Sequence, residues 1–356
     1  MKRIFLISAI VTFVLSFLPA AYAQNIVKVE LSDELRLEEA LANHDIKEID
    51  SLIVIGKLKS VDQYEIRDIS TAWRLTGVNL KEASFEDDNL PEGFFYGFNE
   101  RVNAPDEDYF PPTDIPHVFT KIKYITLPDN LKRIGDGAFK RNPNLLYVNI
   151  PASVSELGVD AFYECRNIFN DGCFVVPENV TVISEGCFDC CIGMRDVKFS
   201  DKVTRIEKGA FYNCSFRDII FPESLQFIGQ YAFLAKENTV VTNAINGNIY
   251  CKAEVPPVCE EFSGSSYLSE PWPFVADDEK IVYVPVGCAE AYRNAPGWSV
   301  FKNFVEISEF PTTGVSAPSA GAKSSDEALY DLNGRIVSNT EKGQIYIKKG
   351  TKFVAK

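Results

Sequence analysis

The sequence LPDNLKRIGDGAF at residues 127–139 decides the fold, because its spacing of apolar residues recurs along the chain. Aligned on Pro128, four further copies are anchored at Pro151, Pro177, Ser200 and Pro222, at intervals of 23, 26, 23 and 22 residues. In all five copies the residues three and one before the anchor, and three, six and eleven after it, are apolar. Such self-similarity at a short period indicates a repeat architecture.

This template predicts a solenoid of five regular coils of 22–26 residues. The alternating residues before each anchor describe a short strand with one buried face, and proline ends the strand because it cannot donate a ladder hydrogen bond. One coil cannot bury its own apolar side, so stacked coils share a core and their strands form one parallel sheet along a curved face. The predicted core comprises the residues six and eleven after each anchor: Ile134, Phe139, Leu157, Phe162, Ile183, Phe188, Ile206, Phe211, Ile228 and Phe233.

Segments without the regular period flank the five coils. Leu35 to Leu41 has helical spacing, Ser51 to Gly56 is a predicted strand, and Ile281 to Pro285 matches the strand template once more. Residues 309–326 are rich in Pro, Thr, Gly, Ser and Ala, which is typical of a linker. The predicted organisation is a signal peptide (1–23), an N-terminal cap with a divergent first coil (24–95), an irregular insertion (96–124), the regular repeats (125–240), a C-terminal coil and closing module (241–308), a linker (309–328) and a short tail (329–356).

The N-terminus has the composition of a secretory signal peptide. Met1-Lys2-Arg3 is basic, residues 4–17 are almost entirely apolar, and Ala21-Tyr22-Ala23 supplies the small residues of a cleavage site. No other stretch has enough consecutive apolar residues to span a bilayer. We therefore expect a secreted protein, extracellular or at the outer cell surface, without a transmembrane segment.

The net charge of −14 bears on partners and cofactors. An acidic surface repels phosphate backbones, so nucleic acid is not an expected partner. The dense carboxylates at residues 82–88 and 106–108 suggest calcium, but neither segment has the glycine and the spaced oxygen ligands of an EF-hand loop. Solubility is the simpler explanation of these acids. We therefore expect no cofactor, with calcium as the alternative.

The nine cysteines follow the repeat rather than a disulfide framework. Three share the position fourteen residues after an anchor: Cys165, Cys191 and Cys214. Because a free cysteine behaves as a small hydrophobe, these thiols are predicted to fill the core, as is Cys187 in the small-residue position before Phe188. Metal binding through Cys187 and Cys190 is the alternative, although no second ligand pair accompanies them. A disulfide between Cys251 and Cys259 is left open.

No catalytic motif stands out in the sequence. The two histidines are His44, at a predicted helix end, and His117, in the irregular insertion. The HExxH, GxSxG and phosphate-loop patterns are absent. Paired carboxylates acting as a glycan hydrolase remain the less favoured alternative in so acidic a chain. We therefore predict that the protein is not an enzyme.

Two surfaces are candidate ligand sites. The first is the outward side of the predicted strands, which carries Tyr124, Thr126, Tyr147, Asn149, Lys198 and Ile220. The second consists of aromatic residues in the irregular segments: Tyr109, Phe110, Trp272 and Phe274. Aromatic rings can stack on sugars, but Trp272 and Phe274 are also placed to pack over the last coil.

The template LP-x-x-L-x-x-I-G-x-x-A-F-x-x-C resembles the BspA-like leucine-rich repeats of exported bacterial proteins, as residues 127–139 and 210–214 show best. The order YVP…AY…W…F…F…EI within residues 281–307 is similar to the closing module of such proteins, and residues 51–68 are similar to their leading cap. The tail LYDLNGR…KGQIYIKKG…VAK resembles the C-terminal sorting module of exported Bacteroidetes proteins.

This resemblance implies a leucine-rich-repeat solenoid and a surface protein that binds host matrix components, other cells or glycans. It brings no catalytic residues with it, and the ligand differs from member to member. We therefore expect a secreted or cell-surface protein that binds an extracellular protein or glycan, in adhesion or host interaction. A non-catalytic structural role in an envelope or surface assembly is the alternative.

Overall fold

The computed structural model describes residues 25–97, 120–170, 172–237, 240–261 and 272–311, and three strands of the tail. The predicted signal peptide, most of the insertion at 96–124 and most of the linker at 309–328 lie outside the described residues. The longest described helix, Asp62–Ala72, has 11 residues. No described helix is both long enough and apolar enough to cross a membrane.

The front row is a series of parallel strands that follow one another in chain order, one from each coil. Within the described residues its strands are Ile26–Glu30, Ser51–Lys57, Gly77–Asn79, Tyr124–Thr126, Tyr147–Asn149, Cys173–Val175, Asp196–Lys198, Ile219–Phe221, Ile249–Cys251, Asp277–Pro285 and Phe301–Ile307. The hydrogen-bonded ladder is interrupted after Asn149 and after Lys198. The first interruption falls in the 26-residue coil, where three extra residues precede the next strand. The predicted solenoid is confirmed, with more coils than the five regular ones.

A shorter back row of parallel strands follows the anchors. Its strands are Asn89–Leu90, Arg133–Ile134, Glu156–Leu157, Val182–Ile183, Arg205–Ile206, Phe227–Ile228 and Val258–Cys259. In the regular coils the second residue of each is the apolar residue six after the anchor, and it points into the core. The back row therefore closes the side of the core opposite the front row.

The remaining elements lie at the ends of the solenoid or project from it. The described helices are Leu37–Leu41, Asp62–Ala72 and Ala289–Asn294, with 3-10 turns at Ile46–Glu48 and Glu86–Asp88. Ala83–Ser84 pairs with the end of strand Ser51–Lys57. An antiparallel hairpin, Leu234–Glu237 with Val240–Asn243, projects from the coil after the fifth anchor. In the tail, Leu329–Asp331, Ile345–Lys348 and Thr351–Val354 form an antiparallel sheet.

The core is the column of apolar side chains that the template predicts. Of the 25 template residues, 24 are buried and Ile150 is half-buried. The phenylalanines of successive coils stack with nearly parallel rings, at centroid distances of 4.9 to 5.6 Å. The members of this phenylalanine column are Phe95, Phe139, Phe162, Phe188, Phe211, Phe233 and Phe274. Each ring thus covers the ring of the coil before it.

One coil was not predicted from the template. Strand Ile249–Cys251 pairs with Ile219–Phe221 on one side and with Asp277–Pro285 on the other, so a complete coil lies between them. Its anchor position holds Lys252 in place of proline, and the hairpin before it lengthens the spacing to 30 residues between Ile219 and Ile249. Because this coil has no proline at the anchor position and a longer spacing, its sequence does not match the template.

Candidate functional site

The strand face is the outward surface of the front row, from Tyr124 to Val305. In strands Tyr124–Thr126, Tyr147–Asn149 and Cys173–Val175 the central side chain is buried and the first and third face outward, because successive side chains alternate across a strand. Strands Ile219–Phe221 and Ile249–Cys251 begin one template position later, so in these two the central side chain faces outward and its neighbours are buried. Register places Tyr124 beside Tyr147, and Thr126 beside Asn149. Side chains separated by more than 20 residues in sequence therefore form continuous rows across the face.

The N-terminal half of the strand face exposes large apolar side chains. Tyr124 is 38% exposed, Tyr147 53% and Val175 58%. The Tyr147 ring packs edge-on against Phe169, with 6.5 Å between centroids. Phe169 in turn stacks on the buried Phe174 at 4.8 Å. The exposed Tyr147 is thus held by the core rather than free to move.

Asn149 differs from its neighbours on this face because its side chain forms hydrogen bonds with the backbone of the preceding coil. Its Oδ1 accepts a hydrogen bond from the amide of Leu127 at 2.6 Å, and its Nδ2 donates to the carbonyl of Leu127 at 3.4 Å. The half-buried Asn149 therefore joins two coils, which already explains why an amide stands there. Thr126, the residue beside it, is also half-buried.

The centre of the strand face is charged. Lys198 is exposed, while Asp196 on the same strand is buried. The Nε of Arg217 donates to Oδ1 of Asp196 at 3.1 Å, and a second guanidinium nitrogen pairs with its Oδ2. This bidentate geometry fixes the Arg217 side chain beside the strand.

Aromatic residues also mark the C-terminal half of the strand face. The rings of Tyr250 and Tyr283 are stacked 4.6 Å apart, with planes 8° apart, and both are half-buried. Ile220 precedes them in the same row. Tyr250 was not among the predicted site residues, because its coil lacks the proline anchor. The alternation of Ile249 and Cys251 around it is the sequence signal that could have revealed it.

The aromatic residues of the second candidate surface do not form a site together. Phe274, predicted as a ligand-binding residue, is completely buried and stacks on Phe233, so that prediction is wrong. Its ring fills the phenylalanine position of its coil, which is the packing alternative stated for it. Trp272 is half-buried and packs against the core. Tyr109 and Phe110 lie outside the described residues.

The cysteines at the shared repeat position form a ladder of buried thiols. The Sγ atoms of Cys165, Cys191 and Cys214 donate to the carbonyls of Phe139, Phe162 and Phe188, at 3.0, 3.2 and 3.2 Å. Burial raises the pKa of each of these thiols, so they stay protonated and able to donate. Each thiol bond adds to one that the carbonyl already accepts: from Asn142 Nδ2 at Phe139, and from the amides of Cys165 and Cys191 at Phe162 and Phe188.

Cys251 and Cys259 are also free thiols in buried positions. Cys251 takes the place of Phe221 one strand further on, and Cys259 that of Ile228. The hydroxyl of Tyr292 lies 3.0 Å from the Sγ of Cys251 and donates to the carbonyl of Ala253 at 2.7 Å. The disulfide left open from the sequence is not formed in this structure.

The described acidic residues do not gather into a cation site. In the segment 82–88, Asp88 bonds Lys132 at 2.8 Å and Asn130 at 2.6 Å. The described residues contain no group of three or more His, Cys, Asp and Glu side chains placed to hold a metal ion. His44 is exposed at the end of helix Leu37–Leu41, while His117 and the acids at 106–108 lie outside the described residues.

A cleft of about 370 Å³ lies beside the projecting hairpin. Its lining includes Arg166, Ile192, Asn213 and Asn246. Its amides already bond the chain: Oδ1 of Asn213 accepts from the amide of Lys236 at 2.8 Å, and Nδ2 of Asn246 donates to Ser215 Oγ at 3.1 Å. These groups hold the hairpin in place, so the strand face remains the stronger candidate site.

Stacked coils with short parallel strands and a phenylalanine column define a leucine-rich-repeat solenoid. A family model described as BspA type Leucine rich repeat region matches residues 117–240, in six copies. Over residues 117–240 this chain is therefore similar to BspA-type leucine-rich repeats. No curated protein matches the chain significantly.

Two solved structures are similar to this chain. A leucine rich cell surface protein from Faecalibacterium prausnitzii is 18% identical over 73% of this chain and 65% of its own, with a TM-score of 0.34. A leucine-rich repeat protein from Bacteroides ovatus is 15% identical over 78% of this chain and 80% of its own, with a TM-score of 0.36. This chain thus spans slightly less than two thirds of the Faecalibacterium protein.

Proposed function

We propose that this protein is exported to the cell surface and binds an extracellular protein or glycan through its strand face, without catalysis. The observation that carries this proposal is the exposure of Tyr124, Tyr147 and Val175 on consecutive strands. Exposed apolar patches of this kind are typical of interaction sites, because water contact is unfavourable for them and the fold does not need them. The predicted signal peptide and the BspA-type repeats support the location.

The strand face also has the rigidity that recognition requires. Tyr147 is braced by Phe169, and Arg217 by its bidentate contact with Asp196. Rigid aromatic and arginine side chains lose little conformational entropy when a partner covers them, so they favour tight binding. An apolar half next to a charged centre suits a protein or glycan surface of mixed polarity.

Binding of the exported chain to a panel of extracellular matrix proteins and glycans tests the proposal. The double variant Tyr147→Ser with Val175→Ser should abolish saturable binding. The matched control is Val61→Ser with Tyr64→Ser, which removes a valine and a tyrosine of 40% and 57% exposure away from the strand face. Asn149 is left intact, because its substitution would disturb the backbone.

Equal loss of binding in both double variants would contradict a site on the strand face. Absence of binding to every panel member, with the protein found only in envelope complexes, would favour the structural alternative. Turnover of a labelled glycan or peptide would contradict a non-catalytic protein.

A further inference from the structure

Two rows of like charge border the strand face. The basic border consists of exposed residues five before the anchor position: Lys123, Arg195, Arg217 and Lys302. The acidic border consists of exposed residues one after it: Glu82, Asp129, Glu178, Asp201 and Glu223. From strand Gly77–Asn79 to strand Phe301–Ile307, no described residue of either row carries the opposite charge. A face with an apolar N-terminal half and a charged centre therefore runs between a basic and an acidic edge along the solenoid.

Three coils carry a member of both borders. The pairs are Lys123 with Asp129, Arg195 with Asp201, and Arg217 with Glu223. Each pair is separated by six residues with the three-residue strand between them, at most about 20 Å if the segment were fully extended, so the two charges lie on opposite edges of the face. Because this separation is the same in three coils, the basic border of one copy can lie against the acidic border of a second copy in each of them.

We propose that the strand face binds a second copy of this chain, with the two faces opposed and equal coils opposite each other. This inference rests on the proposed function only in taking the strand face as a binding surface. A two-fold axis along the stacking direction makes the strands of the two copies antiparallel. Each basic border then lies against the acidic border of the other copy.

Charge also selects this orientation over its alternative. A two-fold axis along the strands would place the basic border against itself, and like charges across an interface oppose binding. The proposed axis instead opposes Lys123, Arg195 and Arg217 to Asp129, Asp201 and Glu223 of the other copy, which gives six complementary pairs. A second copy suits this surface as a partner because the spacing of its acidic residues from coil to coil equals the spacing of the basic residues that they face.

The apolar rows and the available area fit the same arrangement. Under this symmetry Tyr124 and Tyr147 lie over the anchor positions of the other copy, where Pro128 and Pro151 are themselves buried, while the exposed Val175 lies near its own equivalent close to the axis. Nine coils at about 4.8 Å and a width of at most about 20 Å make a face of at most roughly 860 Å² per copy. That is the area that each partner contributes to a typical stable interface, about 800 Å².

Lys198 is the exception in this pattern. It belongs to the outward row closest to the axis, so its charge lies near that of its own equivalent. The exception provides a discriminating test. Lys198→Met keeps an unbranched side chain of similar length and removes this repulsion, so it should strengthen the association.

Sedimentation analysis of the exported chain tests the proposal. The wild type should form a dimer below about 100 μM, a range that includes weak specific complexes. The acidic variant Lys123→Glu with Arg195→Glu and the basic variant Asp129→Lys with Asp201→Lys should each dimerise roughly tenfold more weakly or worse. An equimolar mixture of the two variants should recover a heterodimer, because all six border pairs are again complementary.

The control Arg166→Glu with Lys208→Glu makes the same change in net charge away from the borders and should dimerise like the wild type. Circular dichroism and thermal unfolding establish that each variant folds.

A monomeric wild type, or a mixture that fails to associate, would overturn the inference. A monomer that still binds a panel ligand through Tyr147 and Val175 would leave the proposed function standing. A dimer that binds no other ligand would support the inference and contradict the proposed function.

Discussion

The ring of Phe274 stacks on the ring of Phe233, with 5.6 Å between centroids and 10° between planes. The two residues are separated by 41 positions in sequence, far more than the 22 to 26 residues between neighbouring phenylalanines of the regular coils. Phe274 therefore continues the column across a long irregular segment. Its contacts with Trp298 at 5.3 Å and Phe301 at 5.4 Å join that column to the C-terminal closing segment.

We predict that Phe274→Ala destabilises the fold by about 3–5 kcal/mol, the range for truncating a buried phenylalanine. Tyr147→Ala should change the free energy of unfolding much less, because that side chain is about half exposed. Chemical denaturation of both variants measures the difference. A stable Phe274→Ala variant that only loses ligand binding would restore the ligand-binding role predicted from the sequence.

Asn149→Ala should cost about 1–3 kcal/mol, because it leaves the amide of Leu127 without its partner in a partly buried place. The matched control is Thr126→Ala on the adjacent strand, where we expect an effect within about 0.5 kcal/mol. Equilibrium unfolding in urea compares the two. Equal effects would show that the side-chain bond between the coils contributes no stability.

Asp189 should make stability depend on pH. Burial, with further contributions from Asp160 and Glu164, raises its pKa to about 7, and its Oδ1 makes no hydrogen bond to the described residues. The folded state therefore binds this proton more tightly than the unfolded state does. The contribution to stability is complete below about pH 4 and is lost as the pH rises towards and through 7.

Asp189→Asn removes this titration and keeps the size of the side chain. The variant should be more stable than the wild type at pH 8, by up to about 4 kcal/mol if the full pKa difference is expressed. Thermal unfolding between pH 4 and pH 8 measures the effect, and the difference between the two proteins should shrink towards pH 4. A difference independent of pH would contradict the raised pKa of Asp189.

The nine thiols should differ in reactivity according to their burial. Cys173, which is exposed, should be alkylated in the native state, and Cys190 and Cys288, which are both half-buried, more slowly. The other six should react only after unfolding: Cys165, Cys187, Cys191, Cys214, Cys251 and Cys259. Burial also raises the pKa of Cys165, Cys187 and Cys191, which adds to their protection because the thiolate is the nucleophile.

Mass spectrometry of alkylated peptides checks this order, with the Cys173→Ser variant as the control for the fast phase. Unfolding without a reductant should make all nine cysteines available. Protection of Cys251 and Cys259 under those conditions would reveal a disulfide between them. Native-state labelling of Cys191 would contradict its place in the core.

The regular coils could be predicted because their signal is local and repeated. Ile134, Phe139 and their equivalents must leave water, and a single coil offers no place for them, so only stacking buries them. Tyr124 and Tyr147 could be placed on the outward side for the same reason, since alternation along a strand fixes which side chains are buried. The burial of the cysteine ladder could be predicted from its constant position in the repeat. The hydrogen bonds from these thiols to the phenylalanine carbonyls could not.

The sequence by itself determined the repeat, its buried positions and the outward rows, because each depends on spacing within one coil. Only the tertiary structure decided the places of Phe274, Tyr250 and Asn149, because each depends on contact with another coil. A long insertion increases the number of residues between two coils, but the second coil still stacks directly on the first. The spacing in sequence therefore no longer identifies Phe274 or Tyr250. The hydrogen bonds of Asn149 reach a residue 22 positions away, and only the stacking of the coils brings the two together.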